Sequence, residues 1–411
     1  MLRDDLAASL REECEEDGYL FPDYGGYCFA RVPQTIASVL GTDFGRTLPE
    51  DVLSAESTDS KNVLVVLVDG FGYEQWRRER DHHPFLDRLT ADSRVTPLTS
   101  IYPSETSAAI PTFHTGALPA EHGVVGWNIY EPTTDEEFEA LPFQTKDGET
   151  PKLPPEELLD AEPLYPELAD AGVESHHVIP FPETLAGATA HSYDSLGEVP
   201  EKIEAALDAS ADSRSYCYCY LPQVDHAGHE YGTHSEGYRQ TVGDVFEMLE
   251  AAVSGIDDET ANETLLVVTA DHGHVNTDPE RNVDISEFEA VTAALKRHAN
   301  DTPVKFSGSP RNLHLHLEGE ESAERIAGLL REELDAKVLT KADVLEMELC
   351  GSEASETFRR RLGDVVVTHR NLGVWWADEE PDELELVGMH GGLTPEEMLV
   401  PLATVGMDEL R

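Results

Sequence analysis

Short hydrophobic runs alternate with longer stretches of helical periodicity through the first 275 residues of the chain. Strands are predicted in runs that end abruptly at polar residues: "NVLVVLVDGFG", "SRVTPLTSIYP", "RSYCYCYLPQVD" and "TLLVVTADHG". Helices are predicted in the segments around them: "YEQWRRERDHHPFLDRLTA", "SETSAAIPTFHTG" and "LGEVPEKIEAALDAS". This alternation predicts an α/β fold, in which a mostly parallel central sheet carries helices on both faces.

The pattern changes between about residues 276 and 385. There "RNLHLHLEGEESAERIAGLLREELDAKVLTKADVLEMEL" predicts strand, helix, strand and helix in close succession, and "GDVVVTHRNLGVWW" adds strands. We predict a small α+β subdomain at 276–385, inserted into a catalytic core formed by 1–275 and 386–411. The acidic, proline-rich stretch 131–165 is predicted to be a surface excursion.

Composition narrows the class of protein. The 411 residues are 40% hydrophobic, and the longest apolar run, "VLVVLV" at 63–68, is of strand length. A membrane-spanning helix needs about 20 apolar residues, so no membrane segment is predicted. The acidic N-terminal segment has no signal-peptide pattern. Five scattered cysteines without C-x-x-C spacing predict reduced thiols and a cytoplasmic location.

Charge is the most unusual feature of the composition. The chain has 82 acidic and 29 basic residues, a net charge of −53, and the excess runs along its whole length. Carboxylates in such excess repel one another and destabilise a compact fold. This repulsion is screened at about 1 M salt, where the screening length falls to roughly 3 Å. We therefore predict a salt-adapted, halophilic protein. The scarcity of Lys and Arg clusters argues against a nucleic-acid-binding surface.

Four hydrophobic segments are followed directly by carboxylate or imidazole side chains. These are Asp69, Asp225 with His229, Asp271 with His272, and His390. Each alone is explained by a turn or a helix cap. In a parallel sheet, however, the carboxyl ends of strands meet at one edge. Three carboxylates and three imidazoles suit a pair of divalent ions, with zinc favoured and manganese or iron as alternatives.

The order of the motifs resembles the alkaline phosphatase superfamily, and within it the type I phosphodiesterase/nucleotide pyrophosphatase family. The resemblance rests on five segments that follow one another along the chain: "VDGFG", "PSETSAAIPTFHTGALPAEHG", "DHAGHEYG", "TADHG" and "HGGLTPEEMLVPL". It covers roughly residues 62–130, 216–234, 264–276 and 388–403. It implies an alkaline-phosphatase-like core.

The resemblance also implies a role for individual residues. Asp225, His229 and His390 would hold one metal ion, and Asp69, Asp271 and His272 the other, with Thr106 between the ions as nucleophile and metal contact. Three further histidines match no ligand position and are interpreted as loop or supporting residues: His226, His234 and His274.

The resemblance further implies a phosphate-binding asparagine shortly after the "HG" of the nucleophile segment. Trp127 occupies the strictly aligned position, so Asn128, one residue later, is the candidate. Ser104, Ser107 and Thr112 are competing hydroxyls, and His122 is interpreted as a structural residue.

The implied activity is hydrolysis of phosphodiester or nucleotide pyrophosphate bonds through a phospho-threonine intermediate. Two divalent ions and three carboxylates leave a charge of about +1, which attracts a phosphate ester. A small phosphate ester, with nucleotides among the candidates, is therefore the expected partner. Residues 104–130 contain no Lys or Arg to neutralise a phosphate dianion, which favours diesters over monoesters.

Three alternatives remain to be weighed. A phosphomonoesterase or phosphoglycerate-mutase-like enzyme stays open, because a distant cation such as Arg311 could reach the site. A sulfatase is disfavoured, because no cysteine lies between Cys28 and Cys217 and the nucleophile segment has no Arg. A non-catalytic metal-binding member would have lost the nucleophile or a ligand, and all seven positions are present.

Overall fold

A computed structural model of the chain describes residues 1–42, 44–53, 60–182, 185–210, 213–319 and 321–411. Its strands are β1 (Glu15–Glu16), β2 (Tyr19–Leu20), β3 (Asn62–Val68), β4 (Arg94–Thr99), β5 (Asn128–Glu131), β6 (Glu136–Glu139), β7 (Gln144–Thr145), β8 (Val173–Ile179), β9 (Ala188–Ser192), β10 (Arg214–Leu221), β11 (Thr264–Thr269), β12 (Val275–Asn276), β13 (Val283–Asp284), β14 (Gly308–Ser309), β15 (Asn312–Leu315), β16 (Ala336–Thr340), β17 (Val365–His369), β18 (Val374–Trp375), β19 (Gly388–Met389) and β20 (Leu399–Gly406).

The α-helices of the described residues are short for the most part. They are α1 (Asp4–Cys14), α2 (Val32–Val39), α3 (Tyr73–Glu79), α4 (Pro84–Asp92), α5 (Thr106–Thr115), α6 (Pro119–His122), α7 (Tyr165–Asp170), α8 (Val199–Ala209), α9 (Gln223–Tyr231), α10 (Glu236–Gly255), α11 (Asp258–Asn262), α12 (Glu289–Thr292), α13 (Glu321–Glu333), α14 (Lys341–Glu346), α15 (Glu356–Arg361) and α16 (Pro395–Met398).

One predicted helix is divided in two. The segment "YEQWRRERDHHPFLDRLTA" forms α3 and α4, separated at His83, whose φ of −127° and ψ of 116° are extended. Pro84 follows, and its ring disfavours a helical conformation at the preceding residue. The proline then begins α4, where a missing backbone N–H costs nothing.

The central sheet has seven strands in the order β4-β20-β11-β3-β10-β8-β9. Strand β20 is antiparallel to β4 and β11, and the other pairings are parallel. All seven residues of β3 are buried. Because successive side chains point to opposite faces of a sheet, both faces must be covered at this strand. The predicted α/β fold with a mostly parallel central sheet is confirmed.

A second seven-stranded sheet has the order β16-β17-β15-β14-β5-β6-β7. Strands β14 to β17 come from the predicted subdomain, whereas β5, β6 and β7 come from residues 128–145. The two sets meet where Gly308 of β14 pairs with Asn128 of β5. The sheet therefore unites the 276–385 region with part of the predicted excursion at 131–165. The division of the chain into domains at 275/276 stays a prediction.

The described residues form two hydrophobic cores, and the larger one also includes Ile129, Phe138, Leu339 and Val366 of the second sheet. The larger core surrounds the central sheet, and the smaller one contains Trp375, Trp376, Ile326 and Leu313. Among the described residues, no helix combines the length and the apolar character that a membrane span requires. All five cysteines are free thiols.

Register places three strand ends side by side. Val68 of β3 pairs with Leu221 of β10, and Leu67 pairs with Thr269 of β11. The residues that directly follow these strands therefore meet at one edge of the sheet. This edge contains the polar residues singled out in the sequence.

Candidate active site

A histidine-rich group lies at the carboxyl edge of the central sheet and consists of Asp225, His229, His274 and His390. One ligand atom from each of these side chains lies within 4.8 Å of those of the others. The imidazole Nε2 atoms surround Asp225 Oδ1, at 3.5 Å for His229, 3.2 Å for His274 and 3.5 Å for His390.

Helix geometry explains the spacing of two members of this group. Asp225 and His229 lie on α9, which begins two residues after β10 ends. Residues four apart on a helix share one face, so both side chains point to the same side. His390 arrives from the short strand β19, which pairs with β12.

A carboxylate-rich group lies beside it and consists of Asp69, Asp271 and His272. Its ligand atoms also lie within 4.8 Å of one another. His272 Nε2 is 3.2 Å from Asp69 Oδ1 and 3.5 Å from Asp271 Oδ2. These side chains are at most 2% exposed, whereas those of Asp225, His229 and His390 are 13%, 25% and 14% exposed. The histidine-rich group is thus the more accessible of the two.

Thr106 is the first residue of α5 and contacts the carboxylate-rich group. Its Oγ1 lies 3.2 Å from Asp69 Oδ1 and 3.0 Å from His272 Nε2. The N-terminus of a helix favours negative charge through its free N–H groups and its dipole. The helix N-terminus therefore favours an oxyanion at Oγ1, whereas the Asp69 carboxylate opposes one unless a cation lies between the two oxygens.

The three competing hydroxyls have other partners. Ser104 Oγ donates to the Gly392 carbonyl at 2.8 Å, and Ser107 Oγ donates to Glu105 at 3.2 Å. Thr112 Oγ1 lies 3.0 Å from His122 Nε2, which also gives His122 a structural partner. Of the four candidate hydroxyls, Thr106 is the one with hydrogen bonds to the Asp/His groups.

All four histidines of the two groups have the same hydrogen-bonding arrangement. Each Nδ1 faces a backbone carbonyl, which can only accept, so each Nδ1 carries the hydrogen. The carbonyls belong to Gly388 for His229, Gly273 for His272, Gly70 for His274 and Ser104 for His390. A carbonyl on Nδ1 fixes the tautomer whose Nε2 lone pair is free to bind a cation.

Several buried polar atoms of the two groups lack a hydrogen-bond partner. They include Asp225 Oδ1, Asp271 Oδ2 and His274 Nε2. The last lies 3.2 Å from Asp225 Oδ1, but with the hydrogen on Nδ1 both of these atoms are acceptors. Buried polar atoms normally find partners. A bound cation would satisfy these atoms, so the residues present fit a metal site.

The carboxyl groups repel one another. Burial, followed by the charge of Asp225, raises the pKa of Asp69 well above its usual range. Burial and the charge of Asp69 raise the pKa of Asp271 to about 8. At Asp225 burial acts in the same direction, but His229 and then His274 outweigh it and hold the pKa well below its usual range.

Two of the histidines, in contrast, resist protonation. Burial, and then the charge of His272, lowers the pKa of His390 well below its usual range. Burial also lowers the pKa of His229. Neutral imidazoles beside crowded carboxylates favour a positive ion that is not a proton, which is the electrostatic condition for metal binding.

His274 was interpreted from the sequence as a loop or supporting residue, and the structure brings it into the histidine-rich group. Its ring passes close to two glycines. A Cβ at Gly70, where φ is +69°, would lie 2.5 Å from His274 Cε1, and a Cβ at Gly228 would lie 2.9 Å from the same atom. Glycine at both positions therefore makes room for the imidazole. The other two histidines of this class, His226 and His234, are exposed and belong to neither group.

Tyr220 is a site residue that the sequence pattern did not identify. It lies near the end of β10, and its hydroxyl donates to Asp69 Oδ2 at 2.5 Å. Its ring stacks at 6.2 Å on that of Phe181, which is 53% exposed. Only the general rule that polar side chains at strand ends join the site could have indicated this residue.

Asn128 and Arg311 lie outside both groups. Asn128 is on β5, where its Nδ2 donates to the Gly308 carbonyl at 3.0 Å and its Oδ1 is buried without a partner. Arg311 is fully buried and donates to Glu397 Oε1 at 2.5 Å and to the Leu372 carbonyl at 2.8 Å. The guanidinium group is thus engaged within the protein.

Comparisons with known proteins show which family and which fold the chain resembles. A sequence model of the family described as type I phosphodiesterase / nucleotide pyrophosphatase matches residues 63–393. An uncharacterized pyrophosphatase/phosphodiesterase of Schizosaccharomyces pombe is 24% identical over 248 residues, which are 58% of this chain and 50% of that protein. The match thus spans about half the length of this curated relative.

Two solved structures show the similarity of the fold. An inactive variant of murine ectonucleotide pyrophosphatase/phosphodiesterase 5, in complex with AMP, superposes with a TM-score of 0.64 at 16% identity, over 83% of this chain and 87% of that one. Phosphonoacetate hydrolase of Sinorhizobium meliloti 1021, in complex with phosphonoformate, gives a TM-score of 0.59 at 17% identity, over 84% and 93%.

Proposed function

The chain belongs to the type I phosphodiesterase / nucleotide pyrophosphatase family, hydrolases that act on phosphoric esters, and we propose that it hydrolyses phosphodiester or nucleotide pyrophosphate bonds with Thr106 as the nucleophile. One observation carries the proposal: Thr106 Oγ1, at the N-terminus of α5, lies 3.2 Å from Asp69 Oδ1 and 3.0 Å from His272 Nε2.

The two groups are proposed to hold one divalent cation each. Asp225, His229 and His390 would form one ligand set, and Asp69, Asp271 and His272 the other, with Thr106 between them. The mixture of carboxylate and imidazole donors favours zinc, with manganese or iron as alternatives. When bound, such ions supply positive charge next to the attacking and leaving oxygens.

The proposed reaction has two steps that use the same side chain. Thr106 Oγ1 bonds to phosphorus while the bond from phosphorus to the leaving oxygen breaks, and the threonine proton ends on the leaving group. Water then attacks the phospho-threonine and returns a proton to Thr106 as the product phosphate leaves. The second step restores the free hydroxyl, which is the hallmark of nucleophilic catalysis.

A diester or pyrophosphate substrate is supported by the charges around the site. The alternative of a monoester or mutase substrate needed a cation such as Arg311 to neutralise a phosphate dianion. That guanidinium group is fully buried and bound to Glu397. The AMP in the murine relative's structure makes nucleotide esters the first substrates to test. Asn128 is proposed to donate a hydrogen bond to the substrate phosphate.

Thr106→Ala tests the proposal directly. We expect the variant to lose at least about a thousandfold in kcat toward bis(p-nitrophenyl) phosphate at high salt, the scale seen when a covalent nucleophile is removed. Thr112→Val is the matched control, since it removes a buried hydroxyl from the same helix and should keep the rate.

Three outcomes would contradict the proposal. Near wild-type hydrolysis by Thr106→Ala would exclude this residue as the nucleophile. A wild-type preference for p-nitrophenyl phosphate over the bis-ester would favour the monoesterase alternative. A protein that binds metal but hydrolyses neither compound would be a non-catalytic member of the family.

A cytoplasmic, salt-adapted protein is part of the proposal. Five free thiols support a reducing compartment. The net charge of −53 supports adaptation to molar salt.

A further inference from the structure

Glu105 precedes the proposed nucleophile and is almost completely buried. It is the N-cap residue of α5, with an extended backbone of φ −130° and ψ 143°, and it is 1% exposed. Its backbone carbonyl accepts the N–H groups of Ala108 and Ala109, which begin the helix. The side chain is therefore free to point away from the helix axis.

The Glu105 carboxylate accepts hydrogen bonds from three different segments. Oε1 accepts from Ser309 Oγ at 2.6 Å, on β14 of the second sheet. Oε2 accepts from the Trp127 backbone N–H at 2.8 Å and from Ser107 Oγ at 3.2 Å. One buried side chain thus joins α5, the segment before β5, and β14.

A fourth segment packs directly on the same carboxylate. Gly391 has a φ of +116°, and a Cβ at this position would lie 2.8 Å from Glu105 Oε1 and 3.0 Å from Ser309 Oγ. Glycine is needed here both for its backbone conformation and for this close approach. The residue before it is His390, of the histidine-rich group.

We propose that Glu105 is a positioning residue that keeps three proposed site residues in fixed relative positions. These are the nucleophile, the asparagine that would bind the substrate phosphate, and a metal-binding histidine. Glu105 and two of the residues that contact its carboxylate are each one residue away from one of them: Glu105 from Thr106, Trp127 from Asn128, and Gly391 from His390. The inference rests on the proposed function for the roles of these three residues, but the contacts themselves do not depend on it.

Loss of this carboxylate should displace the site without removing any reacting group. The Trp127 N–H and the Ser309 hydroxyl would lose a buried acceptor, and the segments they belong to would separate. A displacement of about 1 Å at a catalytic group costs on the order of a hundredfold in rate. The effect should appear in kcat, because the geometry of the reacting groups changes while the ligands remain.

Three variants test the inference. Glu105→Leu should lower kcat about a hundredfold with metal content unchanged. Glu105→Gln should stay within about tenfold of wild type, because its carbonyl can accept from Trp127 while its NH₂ donates to the Ser309 hydroxyl. Glu79→Gln is the matched control, since Glu79 is also 1% exposed but pairs with Arg78 and Arg239 away from the site. It should lower stability without changing kcat of the folded protein.

Tryptophan quenching gives a second measurement that does not require activity. Trp127 is 37% exposed, whereas Trp76, Trp375 and Trp376, the other three tryptophans, are buried. Acrylamide quenching therefore reports mainly on the segment that Glu105 holds. We expect stronger quenching in Glu105→Leu than in wild type, and wild-type quenching in Glu79→Gln.

The outcomes separate this inference from the proposed function. If wild type hydrolyses no phosphate ester, the function fails, and quenching alone decides whether Glu105 holds Trp127. If wild type is active and Glu105→Leu keeps its kcat and quenching, the inference is wrong. If Glu105→Leu does not fold, Ser309→Ala removes one donor and leaves the carboxylate. Unchanged kcat and quenching in that variant would overturn the inference.

Discussion

Two clusters, one at each sheet, contain the same kinds of side chain, carboxylate and imidazole, but differ in the pKa of their histidines. The first is the histidine-rich group on the central sheet. The second, which we call the clasp, consists of Asp135, Glu137 and His298 at the second sheet. In the clasp, His298 Nδ1 lies 2.9 Å from Asp135 Oδ1 and its Nε2 lies 3.2 Å from Glu137 Oε2.

The difference lies in which ring nitrogens have partners. Both nitrogens of His298 face carboxylates, and the hydrogen bond to Glu137, opposed by burial, raises its pKa. At His390 the Ser104 carbonyl is the hydrogen-bond partner of Nδ1, whereas Nε2 lies 3.5 Å from Asp225 Oδ1 without a hydrogen bond to it. Burial, and then the charge of His272, lowers the pKa of His390. A proton on His298 therefore satisfies the carboxylates of the clasp, whereas a metal ion would satisfy the free Nε2 atoms of the histidine-rich group. The composition of a cluster alone does not distinguish the two.

Removal of a proposed ligand should give the largest effect. We expect His390→Ala to lose one of two bound metal ions and at least about a thousandfold in kcat, because the cation next to a reacting oxygen is lost. Elemental analysis and kinetics at high salt measure both quantities. His226→Ala, on an exposed histidine of α9, is the control and should change neither. Full metal content in His390→Ala would contradict the assignment of this group as a metal site.

His274→Ala should have an intermediate effect. If this residue supports the ligands without replacing one, the loss of metal affinity or of activity should be about 10- to 100-fold. A zinc titration monitored by the shift in melting temperature gives the affinity. A loss as large as that of His390→Ala would make His274 a full ligand, and no loss would remove it from the site.

The clasp variant His298→Ala should leave kcat within about twofold of wild type and cost about 1 kcal/mol of stability. Because the folded pKa of His298 is raised, its contribution is fully present below the unfolded pKa of about 6.5. It is lost as pH rises through the folded pKa. The difference in unfolding free energy between wild type and variant should therefore be larger at pH 6 than at pH 9. A difference that grows with pH would contradict the ion pairs.

The KCl concentration should change the stability cost of His298→Ala only slightly, which is the smallest of the effects expected here. Asp135 is 35% exposed, so molar KCl should screen its pairing with His298 and reduce the cost of His298→Ala by less than about 1 kcal/mol.

The wild-type melting temperature should rise between millimolar and molar KCl, because the −53 charge is screened. A wild-type melting temperature that falls or stays constant between millimolar and molar KCl would contradict halophilic adaptation.

Local sequence patterns explain which parts of the fold were predictable. The continuous apolar run of β3 indicated a strand, and the alternation of strands with helices indicated a mostly parallel sheet. The five-residue motif from Asp225 to His229 fits one helix face. Each of these features depends on residues that are close in sequence.

The features that escaped prediction depend on distant residues. His274 joins the histidine-rich group because Gly70 and Gly228 leave room for its ring. Strands β5 to β7 join the second sheet through the pairing of Asn128 with Gly308, which are far apart in the chain. Glycine and asparagine are common in turns and loops of every kind, so their presence at these positions did not indicate a long-range contact.

The position of β20 has a consequence for the synthesis of the protein. This strand, near the end of the chain, lies between β4 and β11 inside the central sheet. About 300 residues separate it from β4, and translation at roughly 5–20 residues per second takes on the order of 15–60 s to reach it. Until then β4 lacks its neighbour, and the sheet that carries the active site stays open. The central sheet can therefore close only after β20 has been synthesised, and until then the facing edges of β4 and β11 are open to pairing with other strands.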